Sequence, residues 1–284
     1  MIFAFPISDD NSEAHSQHYK YAVHYAIILI CIAVIGYELY LQFTQGAPGR
    51  DAFIQRWSYD PKEYIGADYM QHSLGQRARE LFGSFGALNN KALLRIMAHV
   101  FLQGGLLRLI FNMIVLWMLG DNVQYAMGQL RYAVFFLLTG LLAGIGAALF
   151  SADAAFIGNA SANGAIMAVA AAYMFYFPAA KINVFYMIVP FWIGVTSFAA
   201  RTIIGIYVLL QLGLAWFLAD MAGGAAIASI NTYIFSLFLG LALAWPFRKN
   251  HAELLRQPVA RESYRKTIKE YVKERHDDHW GHGH

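Results

Sequence analysis

Long apolar stretches separated by polar connections are the feature that most limits how this chain can fold. The hydrocarbon core of a bilayer is about 30 Å thick and a helix rises about 1.5 Å per residue, so about 20 apolar residues cross it. Only 14% of the 284 residues are charged, whereas soluble domains average about 25%. The sequence therefore predicts an all-α membrane protein.

We predict six membrane-spanning helices, over residues 21–43, 101–119, 132–150, 162–177, 203–217 and 222–245. The apolar region 184–218 is too long for one helix, and Pro190 and Arg201 interrupt it. We expect an interfacial or re-entrant segment in its first half and the fifth helix in its second. A seventh span in this region is the alternative.

Three parts follow along the chain. Residues 1–20 form an N-terminal segment, residues 21–246 the transmembrane domain with a long loop over 44–93, and residues 247–284 a basic tail. The tail carries nine Lys and Arg residues between Arg248 and Arg275. Basic segments stay on the cytoplasmic side, and six spans return the chain to its starting side. We therefore expect both termini in the cytoplasm, with a helix in the tail.

Metal and cofactor sites are not expected. Cys31 is the single cysteine and lies in the first predicted helix, which excludes an internal disulfide and a cysteine cluster. Residues 276–284 are rich in histidine and aspartate, but they lack the rigid frame that a specific site needs. A histidine-rich end of this kind binds metal adventitiously. Nothing in the chain is typical of a nucleotide loop or a nucleic-acid surface.

A distinctive block of residues surrounds the second predicted helix. Arg95 precedes the helix, Phe-Leu-Gln-Gly-Gly occupies 101–105, Asn112-Met113 lies on it and Gly-Asp-Asn-Val follows at 120–123. Further glycines fall at Gly164 and at 223–224, and Phe-Pro-Ile opens the chain at 5–7. Over about residues 1–245 the sequence resembles the rhomboid family of intramembrane serine proteases, and bacterial members in particular. The resemblance implies a six-helix bundle in a bacterial-type inner membrane.

The resemblance also implies where catalytic residues would lie. In active rhomboids a serine at the start of the fourth helix is the nucleophile, a histidine on the sixth is the base, and a histidine and an asparagine on the second stabilise the oxyanion. The corresponding positions here are Asn163, Met221, Arg108 and Asn112, of which Asn112 alone matches. An amide and a thioether cannot replace a hydroxyl and an imidazole. We expect a catalytically inactive pseudoprotease.

Residual proteolysis through Ser161 is an alternative. Ser161 precedes Asn163 by two residues, which on a helix turns its side chain by about 200°. The predicted fourth, fifth and sixth helices contain no histidine to act as a base. We therefore consider this alternative weaker, because a base has to lie within reach of the proton that it removes.

A buried polar cluster is expected where the catalytic residues would have been. Arg108 and Asn112 are four residues apart and so share one helix face. An arginine inside a span costs at least about 2.5 kcal/mol unless it finds a partner. We predict that Arg108 pairs with Asp220, with Asn112 and Asn163 beside them. The alternative is that Arg108 extends to the membrane interface.

Small residues recur at intervals of four on the third and fourth predicted helices, at Gly140, Gly144 and Ala148 and at Gly164, Ala168 and Ala172. Such stripes let helices approach closely. We expect them to serve packing inside the bundle, with a dimerisation face as the alternative.

Three functions fit these observations. The first is a non-proteolytic protein that binds transmembrane helices of other integral membrane proteins in a groove between the second and fifth helices, for assembly or quality control. The second is a structural subunit of a multi-subunit membrane complex. The third is a residual intramembrane protease. The expected partners are other integral membrane proteins and the lipid bilayer, and no nucleic acid is expected.

Overall fold

A computed structural model describes residues 2–9, 21–58, 72–85, 90–102, 106–150, 161–188, 192–222 and 225–248. These residues form eight helices and three strands, which confirms the all-α class and adds a small sheet. In chain order the elements are β1 (Ile2–Asp9), α1 (Ala22–Trp57), α2 (Leu74–Phe85), α3 (Asn90–His99), α4 (Leu106–Met127), α5 (Gln129–Phe150), α6 (Ser161–Tyr176), β2 (Lys181–Ile188), β3 (Trp192–Ala199), α7 (Ala200–Ala222) and α8 (Ala225–Phe247).

Helix α6 forms the centre of the bundle. All of residues 162–173 are buried, and α6 packs on α4, α5 and α8. Six of its 16 residues are alanine and one is glycine, so neighbouring backbones come close. A Cβ added at Gly240 of α8 would overlap the backbone of Ala168, lying 2.7 Å from its Cα. A Cβ at Gly164 would overlap Ala143 of α5. At Gly164 and Ala168 the small-residue stripe of α6 thus packs inside the bundle.

The outer surface of the helices is apolar. Large exposed hydrophobic side chains lie on α1, α5, α7 and α8, among them Leu29, Phe43, Leu130, Leu209, Trp216, Phe238 and Trp245. Within the described residues, two helices are long and apolar enough to cross a membrane, Ala22–Trp57 and Gln129–Gly146. Shorter apolar stretches cover Ala162–Tyr176, Ala200–Gly213 and Thr232–Phe247. Surfaces of this kind are stable against lipid and unfavourable in water.

Helix α1 contains a kink at Gly46, whose φ of +73° suits glycine. Pro48 follows two residues later. Glu38 before the kink and Arg50 after it approach to 4.0 Å between Oε2 and Nε. We predicted that the first helix ends near residue 43, and it instead continues through the kink to Trp57, inside the predicted loop 44–93. The same loop also contains α2 and the first four residues of α3, and both of these helices are amphipathic.

The three strands form an antiparallel sheet in the order β1–β2–β3. Ile2 pairs with Ile188 and Lys181 with Ala199, and a bulge separates Pro6 from Ser8. Pro6 fits here because β1 is an edge strand, where a missing backbone N–H is tolerated. The interfacial or re-entrant prediction for the first half of 184–218 did not anticipate this hairpin.

Two predicted boundaries were wrong. Arg201 does not interrupt the fifth helix, since α7 runs through it from Ala200. Asp220 and Met221 do not open the sixth helix, because they lie in the last turn of α7, and α8 begins at Ala225. Glycine is a poor helix former, and the pair at 223–224 separates two apolar helical sequences. The predicted tail helix and the histidine-rich end lie outside the described residues.

Candidate functional site

Five buried polar side chains from four helices meet beside the start of α6. We call them the amide–tyrosine cluster. None of the five is more than 6% exposed. Buried polar groups are destabilising unless they are hydrogen-bonded, so the partner of each atom matters. The members are Asn112 on α4, Asn163 on α6, Tyr207 and Gln211 on α7, and Tyr233 on α8.

Asn112 is the central member of the cluster. Its Nδ2 donates to Oδ1 of Asn163 on α6. Its Oδ1 accepts two hydrogen bonds from α7, one from the Tyr207 hydroxyl at 3.1 Å and one from Gln211 Nε2 at 3.2 Å. An amide oxygen has two lone pairs, so both are used. Asn112 therefore joins α4 to two other helices.

Asn163 extends the cluster to α8. Its Nδ2 donates to the Tyr233 hydroxyl at 3.1 Å, while its Oδ1 accepts from Asn112. Both ends of this side-chain amide thus take part in hydrogen bonds between helices. Asn163 lies in the first turn of α6 and is followed by Gly164, where the close contact with Ala143 holds α6 against α5.

Arg108 lies one helical turn before Asn112. Its side chain is 8% exposed, and its charge acts electrostatically on Tyr233 of α8. This burial matches the predicted inward orientation rather than extension to the membrane interface. Of the predicted site residues, the structure shows Asn112 bonded to Asn163, with Arg108 four residues before Asn112 on α4.

For the remaining predicted site residues, the structure describes the backbone but not the side chains. Asp220 and Met221 lie in the last turn of α7, and Ser161 is the first residue of α6. Their side chains are outside the described part of the structure, and so is the predicted ion pair between Arg108 and Asp220. That pair stays a prediction.

Two histidines are buried in the described helices. His24 of α1 donates its backbone N–H to Gln124 Oε1 at 2.7 Å. Gln124 is twelve residues after Asn112 on α4, about 18 Å along the helix, so His24 cannot act on the cluster. His99 ends α3 and lies near Gly144 of α5. In the described ranges no three His, Cys, Asp or Glu side chains are grouped so as to hold a metal ion.

Sequence reasoning missed Tyr207, Gln211 and Tyr233. A signal was present, because Gln211 is the one polar residue between Tyr207 and Gly213 in a long apolar run. Tyr207 and Gln211 are also four residues apart, which places both on one face of a helix. An isolated amide on an apolar helix has to find a partner inside the bundle.

A groove of about 480 Å³ lies between α4 and α7 next to the cluster. Its lining is apolar except for Tyr207 and Gln211. The two helices pack mainly on other partners, α4 on α6 and α7 on α8. The bonds from Tyr207 and Gln211 to Asn112 therefore connect two helices that otherwise leave a gap. The apolar lining includes Phe111, Ile206, Leu209 and Leu210.

One buried oxygen of the cluster has no hydrogen-bond donor among the described residues. Gln211 Oε1 is buried and accepts no hydrogen bond from any described residue. A buried acceptor without a donor costs about 1–3 kcal/mol. Gln211, which is among the residues that line the groove, thus carries a buried acceptor that no described residue satisfies.

Comparison with family models gives a match over the region that contains this site. The rhomboid-domain model matches residues 90–250, which is more than half of the chain and includes every member of the amide–tyrosine cluster. Comparisons with curated proteins and with solved structures give no match.

Proposed function

Because this chain belongs to the rhomboid family, whose members are multi-pass membrane proteins, we propose that it is a non-proteolytic member. Its function is to bind transmembrane helices of other integral membrane proteins. The proposal rests mainly on the side-chain hydrogen bonds of Asn163. Both ends of its amide are used in hydrogen bonds to α4 and α8, and asparagine is not among the side chains that act as covalent nucleophiles.

The groove between α4 and α7 supports helix binding. It is mostly apolar, and its volume falls within the usual range of about 300–1,000 Å³ for ligand sites. Leu209 and Leu210 at its border are exposed, so an incoming helix meets them directly. A Cβ added at Gly213 would meet nothing within 4 Å, which leaves room for a close approach.

The proposed topology has six spans, α1 and α4 to α8, with both termini in the cytoplasm of a bacterial-type cell. Contacts between distant segments support this arrangement. Arg131 at the start of α5 donates to the carbonyl oxygen of Arg248 after α8, at 3.4 Å. β1 pairs with β2 in the connection after α6. Each contact joins segments that six alternating spans place on the same side.

A pull-down in gentle detergent tests this function with the full-length protein. We expect several membrane proteins in substoichiometric amounts, and fewer of them with Gly213→Leu, which fills the groove. Gly36→Leu is the matched control, because Gly36 on α1 also has open space around it. One partner at a fixed ratio, unchanged by Gly213→Leu, would identify a structural subunit of a complex and contradict client binding.

A cleavage assay tests the absence of proteolysis. The protein is reconstituted in vesicles with a transmembrane substrate that fluoresces when it is cut. We expect the same signal as from empty vesicles. Cleavage that disappears in Ser161→Ala would establish the residual protease and contradict the proposal.

A further inference from the structure

We infer that the end of the bundle where α5 begins and α8 ends binds the headgroup of an anionic phospholipid. The guanidinium groups of Arg131 and Arg248 bind the lipid phosphate, and the acyl chains lie against Leu130 and Trp245. None of these four residues lines the groove between α4 and α7, so the site does not depend on the binding of other helices.

The first observation is that the two arginines lie close together although they belong to different helices. Arg131 Nη1 donates to the carbonyl oxygen of Arg248 at 3.4 Å, so the side chain of one reaches the backbone of the other. The rings of Phe135 and Phe247 pack edge to face with centroids 5.7 Å apart, which holds α5 against α8 at this level. The charge of Arg248 also acts on the hydroxyl of Tyr176, the last residue of α6. Three helix ends thus meet beside two cations.

The second observation is the excess of positive charge at these helix ends. Arg131 is the one charged residue in the sequence of α5, and neither α6 nor α8 contains any charged residue. The acidic residue nearest to Arg131 along the chain is Asp121 of α4, whose Oδ1 accepts hydrogen bonds from the backbone and the side chain of Asn122. Neighbouring guanidinium groups repel each other, whereas a phosphate accepts hydrogen bonds from both of them. An anion is therefore the ligand that this end of the bundle favours.

Large apolar side chains beside the arginines favour a lipid over a free anion. Leu130 directly precedes Arg131 and is 77% exposed, and Trp245, three residues before Arg248, is 75% exposed. Tryptophan is typical of the boundary between lipid headgroups and acyl chains. Basic sites between helix ends on the cytoplasmic side, where the proposed topology puts these residues, bind anionic headgroups. A phospholipid covers the apolar side chains with its acyl chains, which a free phosphate cannot do.

Native mass spectrometry of the full-length protein tests the inference. The protein in detergent is titrated with phosphatidylglycerol or with phosphatidylcholine of identical acyl chains, and the fraction with bound lipid gives each affinity. We expect phosphatidylglycerol to bind about five- to thirtyfold more tightly, since each arginine near the headgroup contributes about a factor of five. Equal affinities of the wild-type protein for the two lipids would overturn the inference.

Variants of the arginines locate the site. Arg131→Gln and Arg248→Gln should each reduce the preference for phosphatidylglycerol about fivefold, and the double variant should bind both lipids alike. Arg56→Gln is the matched control, because Arg56 is exposed in the last turn of α1 and its replacement changes the net charge equally. The preference should persist in this control. A preference that the double variant keeps, or that Arg56→Gln reduces as much, would overturn the assignment of the site to α5 and α8.

A competitor without acyl chains separates a lipid site from a free-anion site. Glycerophosphoglycerol carries the headgroup of phosphatidylglycerol alone, and at equal concentration it should not displace the lipid. Trp245→Gln should weaken the binding of both phospholipids while the preference for the anionic one remains. Displacement of the lipid by glycerophosphoglycerol would identify a site for free anions and overturn the inference.

Discussion

Asn112 and Asn163 are hydrogen-bonded side chain to side chain, although 51 residues separate them in the chain. The bond joins α4 to the central helix α6 at the point where further bonds lead to α7 and α8. Hydrogen bonds between buried side chains of different helices hold those helices in one relative position.

Replacing Asn112 with leucine should destabilise the protein strongly. Asn112→Leu leaves Asn163 Oδ1, the Tyr207 hydroxyl and Gln211 Nε2 without their present partner, so we expect a loss of about 2–4 kcal/mol. Thermal unfolding in detergent measures it. Thr44→Val removes one exposed hydrogen bond to the Tyr40 carbonyl and should change stability by less than about 0.5 kcal/mol. Equal effects of the two variants would contradict a structural role for the cluster.

Gly240→Ala should separate α6 from α8. The added Cβ would overlap the backbone of Ala168, which cannot move aside as a flexible side chain can. Overpacking of this kind costs about 1–3 kcal/mol. At Gly205 an added Cβ meets nothing within 4 Å, and Gly205→Ala should be neutral or slightly stabilising because alanine is the better helix former. Both melting temperatures are compared with wild type, and a tolerated Gly240→Ala would refute the close packing.

For the Glu38–Arg50 pair across the kink of α1, removing the cation alone should destabilise the protein more than removing both charges. Glu38 is fully buried and Arg50 is 30% exposed. Arg50→Leu leaves a buried carboxylate without this cation, and we expect a loss of about 1–3 kcal/mol, less than the roughly 3–5 kcal/mol of a fully buried pair. Adding Glu38→Gln to Arg50→Leu should recover part of the loss. A double variant less stable than Arg50→Leu alone would show that the pair contributes little.

Stability should decrease on acidification because of His99. Burial lowers the pKa of His99 from 6.5 to about 4, and the residue ends α3, outside the predicted spanning helices. Below pH 6.5 the unfolded chain binds a proton that the folded protein does not, so stability falls between pH 6.5 and about 4, by up to about 3 kcal/mol. The free energy of unfolding, measured across this pH range, should change less steeply with pH for His99→Gln than for the wild-type protein. Leu94→Ala, an exposed change on the same helix, should keep the wild-type slope.

The positions of several helices could be predicted from the lengths of the apolar runs alone. The boundaries of α5 and α6 agree with the predicted third and fourth spans to within three residues, because each is one apolar run with a clear beginning and end. The hairpin of β2 and β3 was not predicted, since a short apolar run fits a strand or a helix equally well. Its pairing with β1 depends on residues about 180 positions away.

The sequence by itself determined that this chain has an apolar helical bundle and that asparagines occupy two positions where the rhomboid resemblance expects catalytic groups. It also placed Arg108 and Asn112 on one helix face, because that follows from helical spacing. Only the tertiary structure decided that Tyr207, Gln211 and Tyr233 complete the cluster and that a groove opens beside Gln211. Those contacts join residues 70 to 99 positions apart, and helix packing rather than local sequence determines which side chains meet.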